Sequence, residues 1–323
     1  MTDRIDVSAR VARLRQPARP PGTPLTGDRF LAAAEEHMAH FREALIYKSV
    51  RRDYDEKLEK VDAGYGRWLD GLLTWLKSEY DVGDAPILDF GCGTGLLTVL
   101  MNSLGHTAIG LDLHERHLSM GRLLARENGM DGDAMFVASR SRTLPFEDGA
   151  FGIITLFSVV EHLDDDVMSW LLPELARISR GVVFTLFPNR WKPLDDHTQL
   201  RFVCWMPRAL AVPYIRARGP KYAYHISDDG TWDVVSRGFY AASRKFREAG
   251  FTVGFPPDEH VFPSLEQVPP LRGFGKHTRN GLIGIPYPVR TLQRMGVPRQ
   301  AFYPYLNLVF ESPNARRRKP AGG

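Results

Sequence analysis

The sequence predicts an α/β fold: a doubly wound, seven-stranded and mostly parallel sheet with an N-terminal helical cap and a lid insertion after strand 5. Two observations lead to this fold class. Short apolar runs alternate with amphipathic helical patterns between about residues 85 and 187, and such alternation requires right-handed crossovers between parallel strands. In addition, a glycine-rich turn follows the first apolar run. Sheets of this kind bind ligands at the carboxyl ends of their strands, so we expect the functional site there.

The predicted strands are short apolar runs, typical of strands that are buried on both faces. They lie at residues 86–90, 107–111, 134–138, 151–157, 181–187, 251–255 and 302–310. The predicted helices between them have apolar residues at spacings of three and four. They lie at residues 96–104, 115–128, 164–180 and 236–249.

Composition along the chain predicts its division into parts. The first 27 residues combine arginines with prolines, which predicts a disordered basic arm. The other predicted parts are a helical cap (28–80), a core domain (81–311) with a lid insertion at about 188–236 and a second insertion at about 256–300, and a disordered basic tail (312–323). Insertions that leave the carboxyl end of a strand commonly carry substrate-binding residues.

Overall composition is that of a soluble globular protein, because 43% of the 323 residues are hydrophobic and 25% are charged. The net charge is +4, with part of the basic excess in the two ends of the chain. Cys92 and Cys204 are too few for a disulfide framework, which favours a reducing compartment. The first residues lack the apolar core of a signal peptide, and no apolar run is long enough to cross a bilayer. These features predict a cytoplasmic protein.

The glycine-rich turn carries three glycines at alternate positions, Gly91, Gly93 and Gly95, after the acidic residue Asp89. Glycines leave no side chain on the turn, so a ligand can approach the backbone, and the following helix start presents unpaired N–H groups. Asp112 ends the second predicted strand, where an acid suits the ribose hydroxyls of a nucleoside. The spacing Asp-x-Gly-x-Gly-x-Gly departs from the dinucleotide fingerprint, which argues against an NAD-dependent oxidoreductase.

Four ordered segments, at residues 87–95, 110–112, 144–151 and 157–164, together resemble class I (Rossmann-like) S-adenosylmethionine-dependent methyltransferases. They read Ile-Leu-Asp-Phe-Gly-Cys-Gly-Thr-Gly, Gly-Leu-Asp, Leu-Pro-Phe-Glu-Asp-Gly-Ala-Phe and Phe-Ser-Val-Val-Glu-His-Leu-Asp. The likeness is to the branch that acts on small molecules, lipids or glycans, with a domain similar to methyltransferase domain 11. It covers about residues 84–187 and implies S-adenosyl-L-methionine as cofactor.

The resemblance also implies a role for each matching residue. Gly91, Cys92, Gly93 and Gly95 would surround the methionine part of the cofactor, with Asp89 near its amino group. Asp112 would hold the ribose and Leu113 would pack on the adenine. Ser139 and Arg140 stand where the family often has an acid that contacts the adenine, while Phe157 and Ser158 would flank the sulfonium.

Methyl transfer from a sulfonium is an in-line displacement, so the protein contributes mainly alignment and exclusion of water. A hydroxyl acceptor would also need a base. His197, early in the lid, is the first candidate, with Asp195 or Asp196 to orient it, and His162 is the second. Acids near these histidines are commonplace at helix starts, so we predict no metal site.

The sequence leaves the acceptor open among a small molecule, a lipid and a glycan. The basic amphipathic segment at 279–295 predicts either contact with a membrane surface or a helix that covers the sheet edge. A nucleic-acid methyltransferase is disfavoured, because neither an Asn/Asp-Pro-Pro-Tyr/Phe motif nor a Pro-Cys nucleophile is present. A donor-binding but inactive interaction module is the third alternative.

Overall fold

The computed structural model describes residues 4–15, 20, 22–41, 44, 47–262 and 291–318. Its centre is one seven-stranded sheet with the strand order β3-β2-β1-β4-β5-β7-β6. The strands are β1 (Ile87–Phe90), β2 (Ala108–Asp112), β3 (Phe136–Ala138), β4 (Phe151–Phe157), β5 (Ser179–Pro188), β6 (Thr252–Gly254) and β7 (Tyr305–Glu311). The predicted doubly wound α/β fold is confirmed.

Ten described α-helices cover the two faces of the sheet or cap it. They are α1 (Val7–Leu14), α2 (Asp28–His37), α3 (Tyr47–Glu59), α4 (Gly64–Glu79), α5 (Leu96–Ser103), α6 (Glu115–Glu127), α7 (Gly132–Met135), α8 (Asp165–Ile178), α9 (Arg208–Ala217) and α10 (Phe239–Glu248). Buried apolar side chains form two large clusters that between them use residues of every strand from β1 to β5 and of β7. The sheet is therefore packed on both faces, as its uninterrupted apolar strands require.

Strand β7 is the exception to the parallel arrangement, because it lies antiparallel to both β5 and β6. It begins at Tyr305 rather than at residue 302, since Arg299–Phe302 forms a 3-10 helix. Its register sets Tyr305 opposite Pro188, where β5 ends. The antiparallel pairing thereby places the first residue of β7 at the carboxyl edge of the parallel strands.

Strands β1 and β4 are neighbours at the centre of the sheet, with Asp89 in register with Thr155 on one side and with Gly110 of β2 on the other. The glycine turn after β1 and the residues after β4 consequently leave the sheet side by side. The order of the strands reverses at β1, because β2 and β3 follow on one side of it and β4 and β5 on the other. Such a switch point is where open α/β sheets bind their ligands.

The helical cap packs on the sheet through α2, α3 and α4. Phe30, Leu69 and Leu73 of these helices are fully buried in the same cluster as Val99 of α5. Helix α3 is a polar helix that contacts α5, and the hydroxyl of its Tyr54 accepts a hydrogen bond from Thr94 in the glycine turn at 3.4 Å. The sequence reading placed no separate helix there, because its apolar residues are few.

The first 27 residues were expected to be disordered, and this expectation is wrong for part of them. Residues 7–14 form α1, which Asp6 caps by accepting a hydrogen bond from the Ala9 N–H at 2.9 Å. Val11 is buried, and the Nε of Arg13 donates to Asp131 at 2.7 Å. Arg10, Arg13 and Arg15, three of the arginines that suggested an unfolded arm, are thus used in contacts with the α/β core.

The basic tail shows the same departure from the expected disorder over residues 312–318. The N–H of Asp81 donates to the carbonyl of Arg316 at 2.8 Å, and the N–H of Arg318 donates to the carbonyl of Glu79 at 2.9 Å. Arg317 forms ion pairs with Glu79 and Glu311. Backbone pairing with the turn after α4 therefore orders this segment.

The lid insertion has a small apolar core of its own, in which Trp232 and Val234 pack with residues of α9 and of the 3-10 helix Val203–Trp205. Of the second insertion, residues 263–290 lie outside the described residues, so the basic segment at 279–295 is described only from residue 291. Among the helices that the structure describes, none has the length and apolar character that a membrane span needs.

Candidate active site

The glycine turn adopts backbone angles that favour glycine at each of its three glycines. Their φ values are +70° at Gly91, +53° at Gly93 and +77° at Gly95. A Cβ on Gly91 would stand 2.7 Å from Val159, and one on Gly95 would stand 2.6 Å from Phe136. A Cβ on Gly93 would meet no atom within 4 Å, so this glycine faces open space. The turn therefore leaves room for a ligand at Gly93.

Asp89 lies beneath the turn and does not line the open space. Its side chain is 2% exposed. Oδ2 accepts a hydrogen bond from the Thr98 hydroxyl at 2.7 Å, and Oδ1 accepts one from the Thr155 hydroxyl at 3.2 Å. Burial raises the pKa of Asp89 to about 6 despite these bonds. Both oxygens thus brace β1 against α5 and β4, which favours a supporting role over the predicted contact with the cofactor's amino group.

Asp112 stands beside the turn at the end of β2. Oδ2 accepts a hydrogen bond from the Gly93 N–H at 3.0 Å, and Oδ1 accepts one from the His114 N–H at 2.9 Å. Burial alone would raise the pKa of Asp112, but the hydrogen bonds and the neighbouring His117 bring it below its usual value. A carboxylate that stays ionised beside the open glycine is well suited to accept hydrogen bonds from ribose hydroxyls.

The residues predicted for the adenine end lie together near Asp112. Leu113 follows it with 53% of its surface exposed. The Ser139 N–H donates to the Asp112 carbonyl at 3.1 Å, and Nε of Arg140 donates to the Leu113 carbonyl at 3.1 Å. The exposed side chain of Leu113 lies beside backbone polar groups at the ends of β2 and β3. A purine could pack on the side chain and form hydrogen bonds with the backbone there.

One cavity of about 480 Å³ opens at the glycine turn. Gly91, Cys92 and Gly93 line it, and Phe157 and Ser158 line it from the end of β4. Ser158 has a φ of +55°, which is uncommon for a residue with a side chain, so the chain turns sharply where β4 ends. Gly95 and Asp112 adjoin this space through the turn. Of the predicted donor-site residues, five line the cavity, and Asp89, Leu113, Ser139 and Arg140 do not.

The sequence reading missed residues that line the same cavity from other parts of the chain. They are Asp53, Tyr54 and Lys57 of α3, Tyr65 of α4, Thr94, Leu96, Leu97, Leu186, Phe262 and Tyr305. The three residues of α3 share one face at helical spacing. That spacing was visible in the sequence, but it pointed to no ligand. The position of Tyr305 follows from the antiparallel pairing of β7, which has no local sequence signal.

Tyr305 connects the cavity to the lid. Its hydroxyl donates to Oδ1 of Asp196 at 2.9 Å, and Nζ of Lys192 lies 2.5 Å from the same hydroxyl. Lys192 also forms an ion pair with Asp196 and lies 4.1 Å from the centre of the Tyr305 ring. Burial raises the pKa of Tyr305 well above 10, so the phenol stays protonated. The site thus has a polar group at its wall, supported by two charged lid residues.

The two predicted bases lie side by side. The rings of His162 and His197 are 5.3 Å apart, and His225 of the lid lies 4.8 Å from His197. Burial and the charge of His197 lower the pKa of His162 to about 4. Burial also opposes protonation of His197, but the carboxylates of Asp195 and Glu161 raise its pKa overall. His197 is accordingly the more basic of the two imidazoles.

The cysteines show no sign of nucleophilic chemistry. Burial raises the pKa of both thiols, that of Cys204 to about 12. Cys92 lines the cavity, and Cys204 lies in the lid with its Sγ 3.2 Å from Asp195. Both are protonated, so they act as small packing residues.

Comparison with known proteins identifies the part of the chain that carries the glycine turn. A family model described as a methyltransferase domain matches residues 87–181. The ubiquinone biosynthesis O-methyltransferase of Dinoroseobacter shibae is 34% identical over 128 residues, which are 40% of this chain and 47% of the relative. The ubiquinone/menaquinone biosynthesis C-methyltransferase of Vibrio parahaemolyticus is 29% identical over 141 residues, which are 41% of this chain and 51% of the relative. The matches thus span about half the length of these curated relatives.

Among solved structures, the putative methyltransferase of Haloferax volcanii, in complex with the Trm112 methyltransferase activator, aligns with a TM-score of 0.47 and 17% identity. The alignment covers 89% of this chain and 99% of that one. The fold assignment is based on the strand order described above, which comes from the pairing of this chain's own strands. Residues 87–181 hold β1 to β4, the glycine turn and Asp112, and the matched domain coincides with them. Residues 87–181 of the chain are therefore similar to a methyltransferase domain.

Proposed function

We propose that this chain transfers the methyl group of S-adenosylmethionine to a hydroxyl oxygen of a small-molecule acceptor. The observation that carries the proposal is the lining of one cavity of about 480 Å³. The backbone of Gly91 and Gly93, where the donor would bind, and the side chains of Phe157, Ser158 and Tyr305 all line it. Donor and acceptor would share this space, which is the arrangement that an in-line displacement needs.

The donor end fits S-adenosylmethionine on this chain's own geometry. Gly93 leaves open space, Asp112 presents an ionised carboxylate, and Leu113 is exposed beside it. When bound, the donor supplies a methyl group on a positively charged sulfur, which is already electrophilic. The protein then has to align the acceptor and exclude water.

The acceptor end favours a partly apolar compound, because aromatic residues form much of its wall. The ring of Tyr65 lies edge-on to that of Phe262, with 4.8 Å between the ring centres. The ring of Trp68 packs against Phe262 and Phe157. The two curated relatives act, by their names, in quinone biosynthesis. A phenol or hydroquinone with an apolar substituent is therefore the acceptor class that we propose, ahead of a glycan.

A hydroxyl acceptor loses its proton on methylation, and we propose that His197 receives it. The raised pKa of His197, with Asp195 at 3.7 Å from its Nδ1, fits a base that is oriented by a carboxylate. His197 itself does not line the cavity, but the preceding residue, Asp196, accepts a hydrogen bond from Tyr305, which does. We assign Tyr305 and Asp196 to positioning of the acceptor, and His162 to support of the His197 ring.

The proposal is tested in two steps on the full chain. First, calorimetric titration with S-adenosylmethionine should show saturable binding; its absence would remove the donor assignment. Second, the protein is incubated with donor and a panel of catechols, alkylated phenols and hydroquinones. Nuclear magnetic resonance of any product distinguishes a methyl ether from a methylated ring carbon. Donor binding without any methylated product would favour the inactive interaction module, and a carbon-bound methyl group would overturn the hydroxyl acceptor.

A further inference from the structure

A group of possible metal ligands lies where the lid meets the core. One donor atom from each of Glu161, His162 and His197 lies within 4.8 Å of the donor atoms of the other two. Glu161 and His162 belong to the 3-10 helix Val160–His162 that follows β4, while His197 belongs to the lid. The prediction of no metal site was based on acids being commonplace at helix starts, and the sequence carries no signal that brings His197 beside the residues after β4.

The burial of Glu161 is the second observation. Its side chain is 2% exposed, and within the described part of the chain Oε2 has no hydrogen-bond partner. Nδ1 of His197 is also buried without one. A buried carboxylate oxygen without a partner is costly for the fold, whereas a cation bound to the carboxylate offsets the cost. One oxygen of this carboxylate stands beside two imidazoles.

Further carboxylates stand behind both histidines. Oδ1 of Asp195 lies 3.7 Å from Nδ1 of His197, and Oδ2 of Asp233 lies 3.8 Å from Nδ1 of His162. Histidines that bind metals usually direct their second ring nitrogen to such a carboxylate, which fixes the ring and increases its basicity. We therefore expect Nε2 of each ring to be the donor atom.

We propose that Glu161, His162 and His197 bind a divalent transition-metal ion, of which Zn²⁺ is the first candidate, and that this ion ties the lid to the core. Two imidazoles and one carboxylate suit Zn²⁺ or Fe²⁺, whereas Mg²⁺ and Ca²⁺ prefer oxygen ligands alone. Donor atoms around a tetrahedral Zn²⁺ lie about 3.4 Å apart, so the side chains would close by roughly 1 Å. Three protein ligands leave a fourth position for an oxygen ligand.

The inference concerns the lid junction and does not require the donor site. In the metal-bound protein the free electron pair of His197 is occupied, so the role of His197 as a base applies to the metal-free protein. Donor binding at the glycine turn and metal binding at the lid junction are measured separately. Failure of one leaves the other standing.

The test uses the full chain, stripped of metal with a chelator. Calorimetric titration with Zn²⁺ should show one saturable site per chain. Bound Co²⁺ should give an absorption spectrum typical of nitrogen and oxygen ligands. The strong thiolate band that cysteine ligands produce should be absent. Glu161→Gln and His197→Gln should each weaken Zn²⁺ binding by at least about 100-fold, because even residues that only orient a ligand contribute 10- to 100-fold. Saturating Zn²⁺ should raise the Tm of the unmodified protein by about 5 °C and that of the variants much less.

The matched control is His260→Gln, a histidine outside the cluster that stacks on Trp75. This variant should bind Zn²⁺ as the unmodified protein does. Titration with S-adenosylmethionine and the Tm without metal show whether each variant is folded, and His162→Gln replaces any variant that is not. The proposal is overturned if neither Zn²⁺ nor Co²⁺ gives saturable binding, or if the substitutions in the cluster bind Zn²⁺ as tightly as the control.

Discussion

Oδ2 of Asp112 accepts a hydrogen bond from the backbone N–H of Gly93 over 3.0 Å. One residue ends β2 and the other lies in the turn after β1, so the bond joins two neighbouring strand ends across the donor site. It holds the turn in place and leaves the carboxylate ionised. The site is therefore arranged before a ligand arrives, which reduces the ordering that binding requires.

Replacing Asp112 by Asn should weaken binding of S-adenosylmethionine by about 10- to 100-fold. A hydrogen bond to a charged group contributes roughly 1.5–3 kcal/mol, and each 1.4 kcal/mol is a factor of ten in affinity. Calorimetric titration measures the change. Asp166→Asn, which alters an exposed acid on α8, serves as the control. Equal donor affinity in both variants would contradict the role assigned to Asp112.

Two glycines of the turn should respond differently to alanine. In Gly95→Ala the new methyl group meets the ring of Phe136 at 2.6 Å, so we expect a loss of stability well beyond the roughly 1–2 kcal/mol of a positive φ. In Gly93→Ala the methyl group meets no atom within 4 Å. That variant should lose donor affinity more than stability. Denaturant unfolding and titration, run on both variants, separate the two effects; the reverse ranking would show that Gly93 does not face the donor.

The buried carboxyl of Asp89 predicts a pH dependence of folding. Its pKa is about 6 in the folded protein and about 3.9 in an unfolded chain. Between these values the folded state binds more protons, so stability should fall as the pH rises from 4 to 6, by up to about 3 kcal/mol. Asp89→Asn removes this titration. The difference in unfolding free energy between the unmodified protein and Asp89→Asn should change from pH 4 to pH 6 and stay constant above pH 6. A difference that is constant across the whole range would contradict the buried carboxyl.

His197→Gln should lower kcat for a hydroxyl acceptor by roughly 10²- to 10⁴-fold, the usual contribution of a general base. Donor affinity should be unchanged. Because a base works in its neutral form and the pKa of His197 is raised, the rate in the unmodified, metal-free protein should rise with pH through a value above 6.5. Steady-state kinetics across pH test this, and added imidazole should restore part of the activity. A flat pH profile that persists in the variant would assign the proton to another group.

Tyr305→Phe should raise the KM for the acceptor with little change in donor affinity. The substitution removes the hydroxyl that Asp196 and Lys192 hold at the cavity wall and keeps the ring. The loss of about one hydrogen bond corresponds to a several-fold increase in the KM for the acceptor. Tyr303→Phe, on a residue whose hydroxyl contacts Asp258 outside the cavity, is the matched control. If both variants show the same KM, Tyr305 does not position the acceptor.

The donor half of the site could be predicted from the sequence because its signals are local. The glycines of the turn and the acid at residue 112 lie at fixed distances from predicted strands, and strand ends of a parallel sheet meet at one edge. Asp89 shows the limit of that reasoning. Its place in the first strand was predicted correctly. The direction of its side chain, however, depends on Thr98 and Thr155, which lie on different elements.

The acceptor half could not be predicted in the same way. Tyr305 reaches the cavity only through the antiparallel register of β7 with β5, and His197 meets His162 only through the path of the lid. Neither relationship follows from hydrophobic periodicity. The ordered helix α1 shows a related difficulty, since an arginine-rich segment resembles a disordered arm until its acidic partners on the core are known.

The late arrival of β7 has a consequence for biosynthesis. The donor turn leaves the ribosome early, with β1, whereas Tyr305 and the strand that carries it follow both insertions. A growing chain would thus be able to form the cofactor pocket well before the wall that selects the acceptor exists. Only when β7 enters between β5 and β6 does Tyr305 reach its place opposite Pro188, so the wall that we propose to position the acceptor is completed late.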